Sequence, residues 1–117
     1  MADSIASITD EDAKLVTLAR SSRARTGAVE GAAVRDDTGR TYAATTVALT
    51  SLELTALQSA VAAAVASGAR GIEAAAVVTS AGELVEADLA VAAELGTDGA
   101  LLHRADLAGV VVESVGL

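Results

Sequence analysis

At 117 residues, 52% of them hydrophobic and 1% aromatic, the chain fits one domain large enough to bury a core. Its 16 acidic and 8 basic residues leave a formal net charge of −8, which repels polyanions and disfavours general nucleic-acid binding. With no cysteine there is no disulfide framework, no thiol nucleophile and no thiolate metal ligand, and the expected compartment is the cytoplasm.

The core is expected to consist of Ala, Val and Leu, with Tyr42 the one aromatic residue, so that backbones approach closely. Residues 1–9 carry Asp3 and no basic residue, the wrong pattern for a signal peptide. They are read as a flexible lead-in to a single domain covering 1–117. Thr9 or Asp10 caps a first helix, with Glu11 and Asp12 in its first turn and Leu15, Val16 and Leu18 as apolar positions, ending near Ser21. Arg23 and Arg25, just past Arg20, are expected in a connector. Val29 to Arg35 reads as a strand, Asp36-Asp37-Thr38-Gly39 as a turn, and Arg40 to Val47 as the second arm of a hairpin.

Thr50 or Ser51 is expected to open a long second helix over 50–67, with Leu57, Val61 and Val65 on one face and mostly alanine on the other. Such a helix needs covering on several sides. The uncharged run Leu54 to Ala69 contains Gln58, Ser59, Ser67 and Gly68, too short and too polar to span a bilayer. Gly68 and Gly71 act as a helix stop. Glu73 to Thr79 is a continuous apolar strand of the kind buried on both faces and paired in parallel. Ser80-Ala81-Gly82 turns the chain, Glu86 to Leu95 forms a short helix closed by Gly96, and Ala100 to His103 and Val110 to Val115 are the last strands. The order predicts an α/β fold, a three-layer α/β/α sandwich on a mixed sheet of about five strands.

That order resembles the cytidine deaminase family from Asp10 to Val115. The resemblance is carried by Gly31-Ala32-Ala33-Val34, Thr38-Gly39-Arg40-Thr41-Tyr42, Leu54-Thr55-Ala56-Leu57, and Ser67-Gly68 ahead of Ala75-Ala76-Val77-Val78. It implies a fold in which two helix starts bring three Cys or His ligands to a zinc ion that activates water, with a glutamate moving protons. The first helix start of the family reads His or Cys, any residue, then Glu. One register sets Ser51-Leu52-Glu53 there, making Glu53 a relic of the proton-shuttling glutamate; a register counted back from Gly68 sets Thr55 and Leu57 there instead. The second start, Pro-Cys-x-x-Cys in the family, corresponds to Leu84-Val85-Glu86-Ala87-Asp88-Leu89. Ala28 stands where the family stacks an aromatic on the base, and Thr46-Val47-Ala48 where Asn-x-Glu holds the ribose.

No metal and no cofactor are therefore expected. The leading expectation is a catalytically inactive cytidine deaminase-like protein that self-associates or binds a protein partner. The family's subunits join around the corresponding helices, which implies a dimer or tetramer through helix 50–67. The alternative is a module that binds a small nucleoside-like molecule through Thr46, Ser51, Glu53 and Thr55. A third reading keeps residual deaminase or hydrolase activity.

Other signals carry a structural reading beside a functional one. Glu83, Glu86, Asp88 and Glu94 form either a carboxylate cluster or a solvated helix face with an acidic first turn. Glu53 is either a relic acid/base or a first-turn charge that completes a cap with Thr50. Arg20, Arg23, Arg25, Arg35 and Arg40 are a site for phosphate or an acidic partner, or else exposed charges that offset carboxylates. His103, the only histidine, is read as a strand-end residue, since no nucleophile lies near it in sequence.

Overall fold

The computed structural model describes residues 8–117, so residues 1–7 of the expected flexible lead-in lie outside the described residues. Thr9 caps α1 (Asp10–Thr26): its hydroxyl accepts from Asp12 N at 3.1 Å, ahead of a first turn made acidic by Asp10, Glu11 and Asp12. The helix runs past Ser21, the expected end. Nothing in Ser22-Arg23-Ala24-Arg25-Thr26 breaks it, and the chain leaves only at Gly27, in the left-handed region at φ 69°. Arg20, Arg23 and Arg25 are thus helical residues, with Arg23 and Arg25 in the last turn, where they favour the dipole.

The hairpin forms as expected. β1 (Gly31–Asp36) and β2 (Thr41–Thr45) pair antiparallel, with Val34 opposite Tyr42. Asp36 organises the turn, because its Oδ1 accepts from Thr38 N, Thr38 Oγ1 and Arg40 N while its Oδ2 accepts from Tyr42 Oη.

Beyond β2 the structure corrects the expected helix 50–67. Val47–Ala48 (β3) and Glu53–Leu54 (β4) pair antiparallel as a small ribbon, with Thr50 and Ser51 in its turn and Leu49 N donating to Leu52 O at 2.9 Å. The second helix, α2 (Ala56–Ala66), starts five residues later than Ser51, by the count from 51 to 56. Two Thr-x-x-Glu/Gln patterns compete in the sequence, at Thr50–Glu53 and Thr55–Gln58, and only the second is made. Thr55 Oγ1 accepts from Gln58 N at 3.0 Å while Gln58 Oε1 accepts from Thr55 N at 2.9 Å.

β5 (Ile72–Val78) is the centre of a five-stranded sheet ordered β2-β1-β5-β6-β7. It runs antiparallel to β1 and parallel to β6 (Gly96–Ala105), with α3 (Glu86–Leu95) as the crossover that parallel pairing requires. β7 (Val111–Gly116) closes the far edge. One face buries Leu15, Val16 and Ala19 of α1 against Ala33, Ala74, Ala76 and Val78. The other buries Leu57, Ala60, Val61 and Ala64 of α2 against Ala32, Val34, Ala75, Val77 and Leu102, with Ala92 of α3 alongside. The result is a three-layer α/β/α sandwich. Small side chains let the layers approach closely: a Cβ on Gly31 would overlap the Ala19 carbonyl of α1. Among the described residues no helix is long and apolar enough to cross a membrane.

His103 is not a strand-end residue but lies within β6, fully buried beneath α1. Its Nε2 meets Asp12 Oδ2 at 2.8 Å and its Nδ1 meets Ser114 Oγ at 2.7 Å. Arg35 donates from Nη2 to Asp12 Oδ1 at 2.8 Å and from Nε to Glu73, so this arginine is spent inside the fold. Burial alone would raise the Asp12 carboxyl, but hydrogen bonds from His103 and Arg35 outweigh it and hold the group below 3.8. Asp12 is therefore ionised at neutral pH, and Nε2 of His103 carries the proton it donates. Because the folded value lies below the unfolded one, this contribution is present above pH 3.8 and is lost as pH falls through the folded value. Asp12→Asn is expected to cost about 2 kcal/mol at pH 7 and to flatten the acid limb of the stability profile, as read by urea denaturation from pH 7 downwards.

Candidate functional site

The starts of α2 and α3 meet at one corner of the sheet, where the Thr55 hydroxyl stands beside the Asp88 carboxyl. At the start of α2 opens a cleft of about 460 Å³ whose walls include Thr46, Glu53, Thr55 and Gln58 together with Val29 and Glu30. Thr46 is held by the entry to β1: Glu30 N donates to its Oγ1 at 3.1 Å, and Thr46 N donates to Glu30 O at 3.2 Å. Glu30 is anchored in turn by Thr79, whose Oγ1 donates to Glu30 Oε2 at 2.7 Å and accepts from Ala81 N at 3.0 Å.

Three of the four residues singled out in the sequence, Thr46, Glu53 and Thr55, thus line one cleft. The fourth, Ser51, is exposed in the ribbon turn and outside that lining. Glu53 lies on β4, paired with Ala48 and two residues ahead of the Thr55 cap, so it is not a first-turn charge of α2 and forms no cap with Thr50. The helix start favours the register counted from Gly68, which sets Thr55 at the helix mouth and Leu57, fully buried, in its first turn.

Asp88 departs from the solvated face expected for the acidic run 83–94. It is 2% exposed, and its Oδ1 has no hydrogen-bond partner among the described residues. Burial pushes its carboxyl up, the Thr55 hydroxyl pulls it partly back, and the charge of Glu30 adds to the rise. Glu30 and Gln58 were not legible as cleft residues, and the burial of Asp88 was not foreseen either. The available signal was Glu30 itself, a carboxylate directly ahead of the apolar Gly31-Ala32-Ala33-Val34 strand.

Comparison with known proteins places this geometry. A family model described as cytidine deaminase-like matches residues 8–109. The chain belongs to that family. A 1.6 Å crystal structure of cytidine deaminase from Burkholderia pseudomallei superposes with a TM-score of 0.73 at 22% identity, over 93% of each chain. A glutamate-to-glutamine mutant of cytidine deaminase from Mycobacterium tuberculosis gives 0.64 at 25% identity, covering 76% of this chain and 81% of that one. Cytidine deaminase from Mycobacterium leprae gives 0.63 at 20% identity, covering 83% and 89%. No curated protein sequence matches the chain.

The zinc implied by the cytidine deaminase resemblance does not fit the residues present. At the first helix mouth Thr55 offers only a hydroxyl already engaged by Gln58 N, and at the second Val85 is apolar and Asp88 is a lone buried carboxyl. Among the described residues no three His, Cys, Asp or Glu side chains come together to hold a metal ion. The single imidazole is engaged by Asp12 beneath α1, on the opposite face of the sheet. Hydroxyl and lone carboxyl oxygens make a poor tetrahedral zinc set, and no zinc-dependent step follows from this site.

A carboxyl whose folded value is raised stabilises less as pH rises, since the proton it keeps in the fold is lost more easily when unfolded. The stability associated with Asp88 is complete below 3.8 and is lost as pH climbs through the folded value. Asp88→Asn is expected to remove that decline. Urea denaturation at intervals between pH 4 and pH 8 would show the variant gaining on the parent as pH increases.

Proposed function

We propose that this deaminase-fold chain has left zinc hydrolysis behind and acts by associating with further copies of itself through α2. The observation that carries this reading is the outward face of α2. Ala62, Ala63, Val65 and Ala66 are exposed there, Val65 at 49%, and no charged residue lies between Glu53 and Arg70. Beside this face runs a largely apolar groove of about 460 Å³ between α2 and α3, walled by Leu54, Val61, Val91 and Leu95. Copies each carrying a net charge of −8 repel, so contact is cheapest across a surface without charge. Alanines let two helices approach closely, and a symmetric contact doubles every apolar residue that it covers.

Sedimentation equilibrium at micromolar concentration is expected to show a dimer or tetramer, and Val65→Glu, an exposed change, to shift it to monomer with the thermal midpoint kept within a few degrees. A strictly monomeric parent protein removes the proposal. A folded protein partner remains the alternative occupant of the same face. No turnover of cytidine or deoxycytidine is expected, with or without added zinc; measurable turnover would favour residual deaminase activity instead.

A second reading has its own support. Thr46, Glu53 and Thr55 share a cleft large enough for a small organic molecule, with apolar walls and few polar groups, the usual make-up of such sites. Thermal-shift assays against nucleosides and nucleotides test it: stabilisation by one of them that is lost in Thr46→Val supports binding, and no response to any of them counts against a nucleoside ligand.

A further inference from the structure

We propose that Ser114, His103 and Asp12 form a second chemical site, on the face of the sheet beneath α1, in which Ser114 Oγ is an activated nucleophile toward small uncharged esters. It stands apart from both the self-association and the cleft readings.

Sequence separation hides the three groups from one another, 91 residues lying between Asp12 and His103 and 11 between His103 and Ser114. The fold joins them: β6 and β7 pair antiparallel with His103 directly opposite Ser114, and α1 brings Asp12 to the imidazole. Because Asp12 is ionised, the proton shared with His103 sits on Nε2. When the imidazole is neutral, Nδ1 then offers only a lone pair, and Ser114 Oγ, 2.7 Å away, donates to it. A hydroxyl that donates to an imidazole whose other nitrogen is held by a carboxylate is the arrangement that activates a serine. The two ring nitrogens are exchanged relative to the serine-protease triad, which leaves the direction of proton transfer the same. Arg35 holds the other carboxylate oxygen at 2.8 Å and so fixes Asp12 in its charged form.

His103 is fully buried, whereas Ser114 is half-buried on β7, the outermost strand on its side of the sheet. The hydroxyl is therefore the part of the array that a reagent can reach. N–H groups on the outer side of an edge strand have no ladder partner and are available to a developing oxyanion. Val112 is exposed on the same strand, and the net charge of −8 disfavours anionic substrates; both favour a neutral ester. In the reaction, Ser114 Oγ attacks the carbonyl carbon as its proton passes to His103 Nδ1. The bond to the leaving oxygen then breaks, and that oxygen takes the proton from Nδ1. Water attacks the acyl-serine by the same route and releases the carboxylic acid.

The test treats the full chain with a fluorophosphonate, which a nucleophilic serine captures by forming an O–P bond as fluoride leaves, and locates the adduct by peptide mass spectrometry. A single adduct on Ser114 is expected. Ser21 and Ser51 are exposed but have no imidazole partner, and should stay unmodified. Release of p-nitrophenol from p-nitrophenyl acetate should exceed that of Ser114→Ala at least about tenfold. Asp12 is a positioning residue: in Asp12→Asn the carboxamide can donate to Nε2 and move the proton to Nδ1, so labelling should slow at least about a hundredfold in protein that circular dichroism shows to be folded. Should that variant fail to fold, the comparison with Ser114→Ala still decides. Absence of an adduct on Ser114, equal labelling of Ser21 and Ser51, ester cleavage unchanged in Ser114→Ala, or labelling indifferent to Asp12→Asn overturns the proposal.

Discussion

Two reciprocal hydrogen bonds between Thr55 and Gln58 decide where α2 begins, and most of what is distinctive about the site follows from that position. Starting the helix there leaves residues 47–54 free to fold back as the β3–β4 ribbon, which carries Glu53 to the cleft wall instead of into a helical turn. The same start brings the Thr55 hydroxyl beside the buried Asp88 carboxyl. A capping box is worth on the order of 1 kcal/mol, enough to choose between two candidate starts in a helix whose interior is nearly all alanine and valine.

A core of such small residues works because the layers come close together. Gly31 admits the Ala19 carbonyl of α1, and nearly every inward position of β1 and β5 is alanine or valine. Each contact is individually small, so specificity of docking falls to the polar chain of Glu73, Arg35, Asp12, His103 and Ser114, buried at Asp12 and His103 and half-exposed at its Glu73 end, which fixes α1 over the sheet by directional bonds.

How much was legible in the sequence follows the range of the forces involved. The hairpin around Gly39, the buried β5 and the bounds of α3 at Glu86–Leu95 rest on local patterns and are seen as expected, as is the three-layer sandwich of the cytidine deaminase-like fold. The end of α1 was misplaced because Ser22 to Thr26 carries no breaker and Gly27 was the true stop. The start of α2 was misplaced because two capping patterns stand five residues apart and local sequence does not rank them. The partners of His103 and the burial of Asp88 depend on residues distant in the chain, and no periodicity or motif announces them. The cleft was legible in part: Thr46, Glu53 and Thr55 meet there, whereas Ser51 is carried off by a ribbon turn that the expected helix concealed.

The Asp12–His103 bond also spans a separation of 91 residues. On a ribosome, the helix that contains Asp12 emerges well before the imidazole and the hydroxyl that complete its polar partners. Until then α1 has a carboxylate and an arginine but no finished surface to settle on, so its docking waits for β6 and β7. Synthesis of β6 and β7, not the appearance of the first helix, is what lets α1 settle.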